Sequence, residues 1–323
     1  MLRMLTSRLV QAVLVMLVVT ACSFLMFRYV GDPVRILSRE DATPEEKAVL
    51  ARTLGLDKPG CVQCGRFVSH VIRGDLGISF RNQRPVATLL AERLPATLEL
   101  VFVATVLALS IGIPLGVVCA LKPDGALARA VQAVSLIGVS TPTFVTGIVL
   151  ILIFAVRLGW LPSFGRGDTV DVLGWQTGFL TASGWRSLVL PSCTLALYQL
   201  TLIMRLVRSE MIDALSSDYI RYARARGLPD RYINFRLALR NALMPVITVT
   251  GLQIGSLIAF AIVTETVFQW PGMGLLFIQA VGFADIPVMA AYLLFVGLLF
   301  VVINMLVDVI YALVDPRLRT RSA

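Results

Sequence analysis

Few side chains in this sequence could carry out catalytic chemistry. The chain has one histidine, His70, and three lysines, at Lys47, Lys58 and Lys122. A zinc protease of the HExxH type needs two histidines, and a phosphate-binding P-loop needs a lysine followed by serine or threonine. Neither site can form here, and the Gly-x-Ser-x-Gly motif of serine hydrolases is absent as well. Work driven by ATP must therefore be done by another chain.

Cys61 and Cys64 form the one cysteine spacing that could carry redox or metal chemistry. A single CxxC without further ligands is a weak signal for zinc. In an oxidising compartment the pair could close as a disulfide, with a redox role or an incidental pair as the alternatives. The other three, Cys22, Cys119 and Cys193, fall in apolar runs and are expected to pack as small apolar residues.

Four polar side chains lie within apolar runs or near their ends: Glu99, Glu265, Asn304 and Asp308. An unpaired acid in hydrocarbon costs about 2.5 kcal/mol or more, so such residues are functional hypotheses by default. Glu99 and Glu265 can reach an interface. Asp308 follows Asn304 by one helical turn, and this shared face favours a packing hydrogen bond over a substrate ligand.

The densest group of charges lies in the segment 218–230, where arginine alternates with tyrosine and alanine. This composition favours a helix, Gly227 can end that helix in the left-handed conformation, and Asp230 after Pro229 can cap a second one. The layout predicts a rigid knob. A solvated basic loop that touches lipid headgroups is the alternative.

The composition places these groups in a membrane protein. Hydrophobic residues make up 57% of the chain and charged residues only 15%, with a mean hydropathy of +0.81, which excludes a water-soluble domain. The net charge of +9 fits arginines that flank membrane spans, so no nucleic-acid partner is expected.

Apolar runs of membrane-spanning length predict six transmembrane helices in a single domain over residues 1–323. A polar segment at 31–95 separates the first two runs, and Thr43-Pro44 should begin a short helix in it that ends near Gly55. The predicted spans are at about 9–30, 96–121, 131–156, 188–207, 245–268 and 288–313.

The distribution of arginine in the short loops predicts the orientation. The loop at 269–287 has no Lys or Arg, whereas 208–243 is rich in Arg. Both termini are therefore expected in the cytoplasm, with 31–95 outside. Val19–Cys22 resembles a lipoprotein cleavage site, but the apolar run continues past Cys22, which favours an uncleaved first helix.

Several motifs give the chain a family resemblance. Residues 219–228, followed by 239–245, resemble the EAA loop of bacterial ABC importer permeases of the dipeptide, oligopeptide and nickel class. Similar motifs follow one another along nearly the whole chain, at 31–34, 74–79, 93–100, 158–162, 270–274 and 304–317. The long segment after the first span is similar to that of the first of the two permeases in such systems.

The sequence departs from the family pattern at three places. Arg221 stands where the general EAA motif has glutamate, a difference typical of the peptide class. Ala284-Asp285 replaces a frequent Arg-Asp, and Cys61 and Cys64 replace an apolar and an aromatic residue. The last two changes lie outside the coupling loop and bear on the substrate or the binding-protein contacts.

The resemblance implies an all-α polytopic membrane protein with the type I ABC importer transmembrane fold, in the bacterial cytoplasmic (inner) membrane. It implies no catalysis and no cofactor in this chain. The implied partners are a second permease subunit, two ABC ATPases that bind ATP and Mg, an extracytoplasmic solute-binding protein and membrane lipid. The substrate stays open between dipeptides, oligopeptides, glutathione-like peptides and a nickel complex; an ion channel or secondary transporter without an ATPase is the rival interpretation.

The resemblance also implies roles for two groups of residues. The segment expected to couple to the ATPase consists of Asp218, Tyr219, Arg221, Ala223, Arg224, Ala225, Gly227 and Leu228. An outer gate or binding-protein contact is expected at Trp270, Pro271, Gly272, Met273 and Gly274, with a plain turn between spans as the alternative.

Overall fold

A computed structural model describes residues 2–29, 43, 45–46, 49, 52 and 60–314. Thr43 and Glu46 form a reciprocal capping box, in which each backbone N–H donates to the other's side chain at 2.8 and 3.3 Å. This confirms the predicted helix start at Thr43. The rest of that helix, to Gly55, falls largely outside the described residues.

The described part of the chain is mostly helical. In order along the chain, the helices are α1 (Leu2–Tyr29), α2 (Gly60–Ile72), α3 (Val86–Leu121), α4 (Ala126–Ser140), α5 (Thr143–Leu150), α6 (Ala182–Ser216), α7 (Asp218–Ala225), α8 (Asp230–Tyr232), α9 (Leu239–Val267), α10 (Met273–Gly282) and α11 (Ile286–Val314). Two π-helical stretches, Ile151–Arg157 and Ile233–Ala238, continue α5 and join α8 to α9.

Four helical stretches are long and apolar enough to cross a membrane: Val86–Leu121, Ala182–Ser216, Asp230–Val267 and Ile286–Val307. Shorter apolar helices occur at Val10–Met26, Ala126–Leu136, Thr143–Arg157 and Met273–Gly282. The expected all-α polytopic architecture is confirmed. Several helices extend beyond the predicted spans, because hydropathy marks only the apolar part of a helix.

The predicted third span, 131–156, is divided in the structure. Helix α4 ends at Ser140, and α5 begins at Thr143 after Pro142, whose backbone is extended. Proline has no N–H to donate and disfavours a helical conformation in the residue before it, which explains the break.

The described residues form two compact units. The first comprises Ala96–Pro271 and the helical residues from Val302, and the second comprises Leu2–Pro95 and Gly272–Val301. In the first unit α6 packs against α9, and Ile203, Met204, Val207 and Met211 of α6 are almost completely buried.

Glycines allow the helices of the first unit to approach closely. A Cβ added to Gly116 of α3 would lie 2.7 Å from both the Met204 carbonyl and the Val207 Cβ. A Cβ on Gly251 of α9 would lie 2.2 Å from a methyl of Val307 on α11. Small residues at helix contacts are typical of membrane proteins, where association depends on close packing.

The second unit contains α1, α2, α10 and the first half of α11. The Phe24 and Phe67 rings lie 6.1 Å apart and join α1 to α2, and Phe277 stacks on Tyr292 at 4.5 Å. The Ser23 hydroxyl donates to the Ala290 carbonyl across α1 and α11.

A small β-hairpin interrupts the helices of the first unit. Strands β1 (Val170–Val172) and β2 (Trp175–Thr177) pair antiparallel, with Val172 opposite Trp175. The two turn residues, Leu173 and Gly174, both have positive φ, at 56° and 82°, as a type I′ turn requires.

Candidate functional site

The segment expected to couple to an ATPase forms a short helix with a defined end. Helix α7 stops at a Schellman motif, in which the Gly227 N–H donates to Arg224 O at 2.9 Å and the Leu228 N–H to Ala223 O at 3.3 Å. Gly227 has φ +75°, as predicted for a left-handed C-cap. The predicted helix, glycine and helix layout is thus confirmed. Asp230 is the first residue of α8, however, and Pro229 occupies the position expected for a capping residue.

Apolar side chains hold α7 against its neighbours. Ile220 is fully buried and Ala223 is 5% exposed. Helix α7 packs on the end of α6 and on the π-helical stretch Ile233–Ala238. The Asn241 amide of α9 donates to the Tyr219 hydroxyl at 2.8 Å. Ala223, one of the residues in the expected coupling set, therefore faces the inside of this chain.

The opposite surface of the segment is aromatic and basic. Tyr222 is 65% and Phe235 53% exposed, and the Arg226 guanidinium lies 5.7 Å from the Tyr222 ring centre. Arg221 forms an exposed ion pair with Asp218 at 2.7 Å. Exposed tyrosine and arginine on a rigid support resemble the hot spots of protein interfaces.

Trp270 is fixed by hydrogen bonds at the end of the first unit. Its indole N–H donates to Ala96 O at 2.9 Å, its backbone N–H donates to Glu265 O at 2.8 Å, and the side chain is 1% exposed. Pro271 follows, Gly272 precedes the first turn of α10, and Met273 and Gly274 are buried residues of that turn. A gating role for 270–274 stays a prediction.

Glu99 is neutralised by Arg166, a partner that no local sequence pattern indicates. Arg166 donates to the Glu99 carboxylate at 2.6 Å and to Gln176 O at 2.6 Å, and both charged side chains are more than nine-tenths buried. The Gly178 N–H also points to this carboxylate, at 3.3 Å. The pair fastens the loop that carries the β-hairpin to the start of the apolar part of α3.

Glu265 has a separate partner. The Thr97 hydroxyl donates to its Oε1 at 2.6 Å, and Glu265 is fully buried. Neither Glu99 nor Glu265 therefore presents an unpaired carboxylate to the bilayer. Their positions indicate a structural role, inside α3 where its apolar part begins and near the end of α9.

The other predicted polar residues are less well defined. Asn304 is half-buried on α11, whereas the Asp308 side chain lies outside the described residues, so their shared face stays a prediction. Cys64 is half-buried and has no disulfide partner among the cysteines whose side chains the structure describes. The Cys61 side chain is not described, and the disulfide also stays a prediction.

Asp285 organises the second unit through contacts that sequence reasoning missed. Its carboxylate accepts from the Ser79 hydroxyl and from the backbone N–H groups of Phe80, at 3.0 Å, and Arg81, at 3.3 Å. Asp285 is 1% exposed. The Arg81 guanidinium lies 3.5 Å above the Phe283 ring. We call these contacts the Asp285 clasp; it fixes the 76–83 loop to the turn before α11.

Gln199 is another buried polar residue outside the predicted set. It lies on α6 with no exposed surface, and neither its amide nitrogen nor its oxygen has a hydrogen-bond partner in the described part of the chain. Buried amides of this kind are normally satisfied by ordered water or by another conformation. Among the described residues no three His, Cys, Asp or Glu side chains come together as metal ligands.

Comparison with known proteins identifies relatives along the whole chain. A dipeptide transport system permease protein of Alkalihalophilus pseudofirmus is 37% identical, over 97% of this chain and 98% of its own length. A glutathione transport system permease protein of Salmonella paratyphi A is 36% identical over 99% of both chains.

A solved structure shares the fold. The inward-facing methionine ABC transporter MetNI matches with a TM-score of 0.56 at 22% identity, over 70% of this chain and 96% of that chain. This likeness supports the expected ABC importer transmembrane fold.

Two family models cover most of the sequence. The N-terminal model of binding-protein-dependent transport system membrane components matches residues 1–101, and the inner membrane component model matches residues 112–320. The second match includes the helices around α7, Arg166 and Trp270, whereas Glu99 and Ala96, which these two side chains contact, lie in the first match. The chain belongs to the family of binding-protein-dependent transport system inner membrane components.

Proposed function

We propose that this chain is a permease subunit of an ATP-driven importer that moves dipeptides, oligopeptides or related small solutes across the bacterial cytoplasmic membrane. The names of the dipeptide and glutathione relatives support this substrate class. Its partners are a second permease subunit, two ABC ATPases and an extracytoplasmic solute-binding protein. ATP and Mg²⁺ bind to the ATPases, and this chain needs no cofactor of its own.

The observation that carries the proposal is that α7 is held firmly by packing and capping while one of its faces stays exposed. An ATPase can pass its motion to a permease only through a contact that moves as one body. The buried Ile220, the hydrogen bond to Tyr219 and the Schellman motif hold α7 rigidly, while its exposed face presents Tyr222 and the arginines. This surface docks into a groove on an ATPase subunit, on the cytoplasmic side.

Transport then follows from alternating access. Closure of the ATPases on ATP displaces α7, and α6 and α9, on which α7 rests, move with it. The solute passes inward from the binding protein, and Trp270–Gly274 gates the outer mouth. Both termini and the 208–243 segment are cytoplasmic, and 31–95 faces the binding protein.

Copurification and uptake test this function together. The tagged permease is expected to retain its ATPase through purification, and proteoliposomes with the binding protein should accumulate labelled dialanine or a labelled tripeptide only with hydrolysable ATP. The matched control contains an ATPase that binds but does not hydrolyse ATP. Uptake at the same rate without the ATPase would show a channel or secondary transporter instead.

A further inference from the structure

Helix α2 carries a basic stripe beside an apolar one. Arg66, His70 and Arg73 are spaced four and three residues apart and therefore share one face of the helix. Arg73 lies just past the last helical residue, Ile72. Arg66 and Arg73 are exposed, and their guanidinium groups have no ion-pair or hydrogen-bond partner within the described part of the chain. Phe67 and Val71 form the neighbouring apolar stripe.

The net charge around α2 is positive. Residues 60–85 contain the four arginines Arg66, Arg73, Arg81 and Arg84 against the single acid Asp75. Arg84 is neutralised by an ion pair with Glu92, which raises the pKa of its guanidinium, and Arg81 lies over Phe283. Within residues 60–85 the unpaired positive charge is therefore concentrated on the stripe of α2.

A cavity of about 550 Å³ lies directly beside this stripe, inside the second unit. Phe67, His70 and Val71 of α2 form one wall. One face of α11 forms a second wall, with Pro287, Ala290, Ala291 and Leu294. The small side chains of the two alanines leave room for the cavity. The volume lies in the range of ligand-binding pockets, roughly 300–1,000 Å³.

The cavity runs along a candidate membrane span. Helix α11 begins at Ile286 and is apolar as far as Val307, so Leu294 lies about 12 Å along its axis at 1.5 Å per residue. The mouth is polar, since the His70 Nδ1 lies 3.4 Å from the Asp75 carboxylate and both side chains are exposed. The cavity thus has a polar entrance and an apolar shaft at the depth of lipid chains.

The third wall is held in place by the Asp285 clasp. Leu76, Ile78 and Phe80 belong to the loop whose backbone and Ser79 hydroxyl donate to the buried Asp285 carboxylate. A wall fixed by three hydrogen bonds to one buried charge keeps the cavity open without a ligand. His70 belongs both to the cavity and to the basic stripe, and so joins the two.

We propose that α2 and this cavity form a binding site for an anionic glycerophospholipid. One acyl chain fills the shaft between α2 and α11, and the phosphate lies beside Arg66 and Arg73. An acidic surface of a protein partner would match the same arginines, but it would not reach Leu294 inside the span. Amphipathic helices with a basic face are well suited to anionic membrane surfaces.

The test uses phosphatidylglycerol with a photoreactive diazirine at the end of one acyl chain. The permease, purified with its partner subunits, is placed in phosphatidylcholine nanodiscs that contain this probe, and cross-linked peptides are identified by mass spectrometry. Label is expected within residues 60–73 and 286–301. Unlabelled phosphatidylglycerol should compete for the site, and added phosphatidylcholine should not.

Two variants separate the headgroup contact from the chain contact. Removing Arg66 and Arg73 as R66Q/R73Q should reduce labelling by about fivefold for each arginine, because each basic residue near an anionic surface contributes about that factor. The matched control, R129Q/R157Q, removes two exposed arginines elsewhere and should not change it. Ala291→Phe fills the shaft and should abolish labelling in 286–301, whereas Leu298→Phe on the exposed face of α11 should not.

Three results would overturn the proposal. Unchanged labelling in R66Q/R73Q, equal competition by phosphatidylcholine, or label spread evenly over α11 would each show that no specific lipid site exists. If the binding protein instead protects the two arginines from modification and phosphatidylglycerol has no effect, the stripe is a protein interface. None of these results bears on ATP-driven transport, so the two proposals fail independently.

Discussion

At the scale of single residues, some buried charged side chains have their partners inside the chain, whereas other positions face open space that another molecule could occupy. Glu99, Arg166 and Glu265 have their partners inside the chain. Gly227 is different: a Cβ built on it meets nothing within 4 Å, although its φ is +75°. A side chain there is penalised by the backbone conformation, and any crowding must come from another molecule.

Gly227→Val is therefore expected to abolish uptake and weaken ATPase association while the permease still inserts. A left-handed β-branched residue costs about 1–2 kcal/mol, and the side chain would also obstruct close docking. Gly174→Val is the matched control, because Gly174 has φ +82° and equally open space but lies in the β-hairpin. Uptake and copurification are measured for both.

Gly227→Asn separates the two causes, since asparagine tolerates the left-handed conformation. Retained association in this variant would assign the effect of valine to the backbone, and lost association would assign it to crowding. If Gly227→Val transports normally and keeps its ATPase, α7 is not the coupling element.

Removing either partner of the Glu99–Arg166 pair should destabilise the first unit strongly. Glu99→Leu or Arg166→Leu leaves a buried charge uncompensated, at a cost of about 3–5 kcal/mol. The double variant should be less destabilised than the sum of the two, because it leaves no charge behind. Thermal unfolding in detergent measures this, with the exposed Arg157→Leu as control. Additive losses would mean that the two side chains do not interact.

At the scale of elements, close contacts between helices depend on positions without side chains. Gly251→Ala should destabilise the packing of α9 on α11, because the new Cβ would lie 2.2 Å from a Val307 methyl. Overpacking of this kind costs about 1–3 kcal/mol. Gly251→Ala combined with Val307→Ala should recover part of the lost thermal stability, because it removes both methyl contacts but keeps the Cβ of residue 307 at 2.8 Å. No recovery would place the strain elsewhere.

The start of α10 tests the predicted outer gate. Gly272 has φ −95°, which valine can adopt, but Gly272 and Gly274 are both buried, so assembly with the partner subunits is measured beside uptake. G272V/G274V should impair uptake through the gate while assembly is retained. Gly282→Val, at the open end of the same helix, is the control, since an added Cβ there meets nothing within 4 Å. Full uptake in G272V/G274V would favour a plain turn.

Sequence reasoning succeeded where the signal was local. The Gly227 cap and the helix start at Thr43 each depend on residues within a few positions, and the sequence predicts both; the reciprocal bonds between Thr43 and Glu46 are seen only in the structure. The Glu99–Arg166 contact joins residues 67 apart, and Ser79–Asp285 joins residues 206 apart, so no local pattern indicated either one. The break at Pro142 has a local signal, but the long apolar run around it favours one continuous span.

At the scale of the whole molecule, orientation in the membrane is the central expectation. Cys61 and Cys64 are predicted outside, and Arg221 to Asp230 inside, from the arginine content of the short loops. After reduction, an impermeant thiol reagent should label Cys61 and Cys64 in intact cells. Asp124→Cys, in the short loop before α4, should react only after the cells are opened. The reverse pattern would invert the topology.

The π-helical stretch between α8 and α9 has a consequence for how related chains can vary in length. A π-helical turn holds about one residue more than an α-helical turn, and one residue corresponds to about 100° of rotation. Loss of one residue within Ile233–Ala238 would therefore convert the wide turn to an ordinary α-helical turn and leave the rotation of α7 relative to α9 unchanged. Homologues with such a deletion would still aim Tyr222 in the same direction, whereas loss of one residue from an ordinary α-helical turn of α9 would rotate α7 by about 100° and so require a differently shaped ATPase groove.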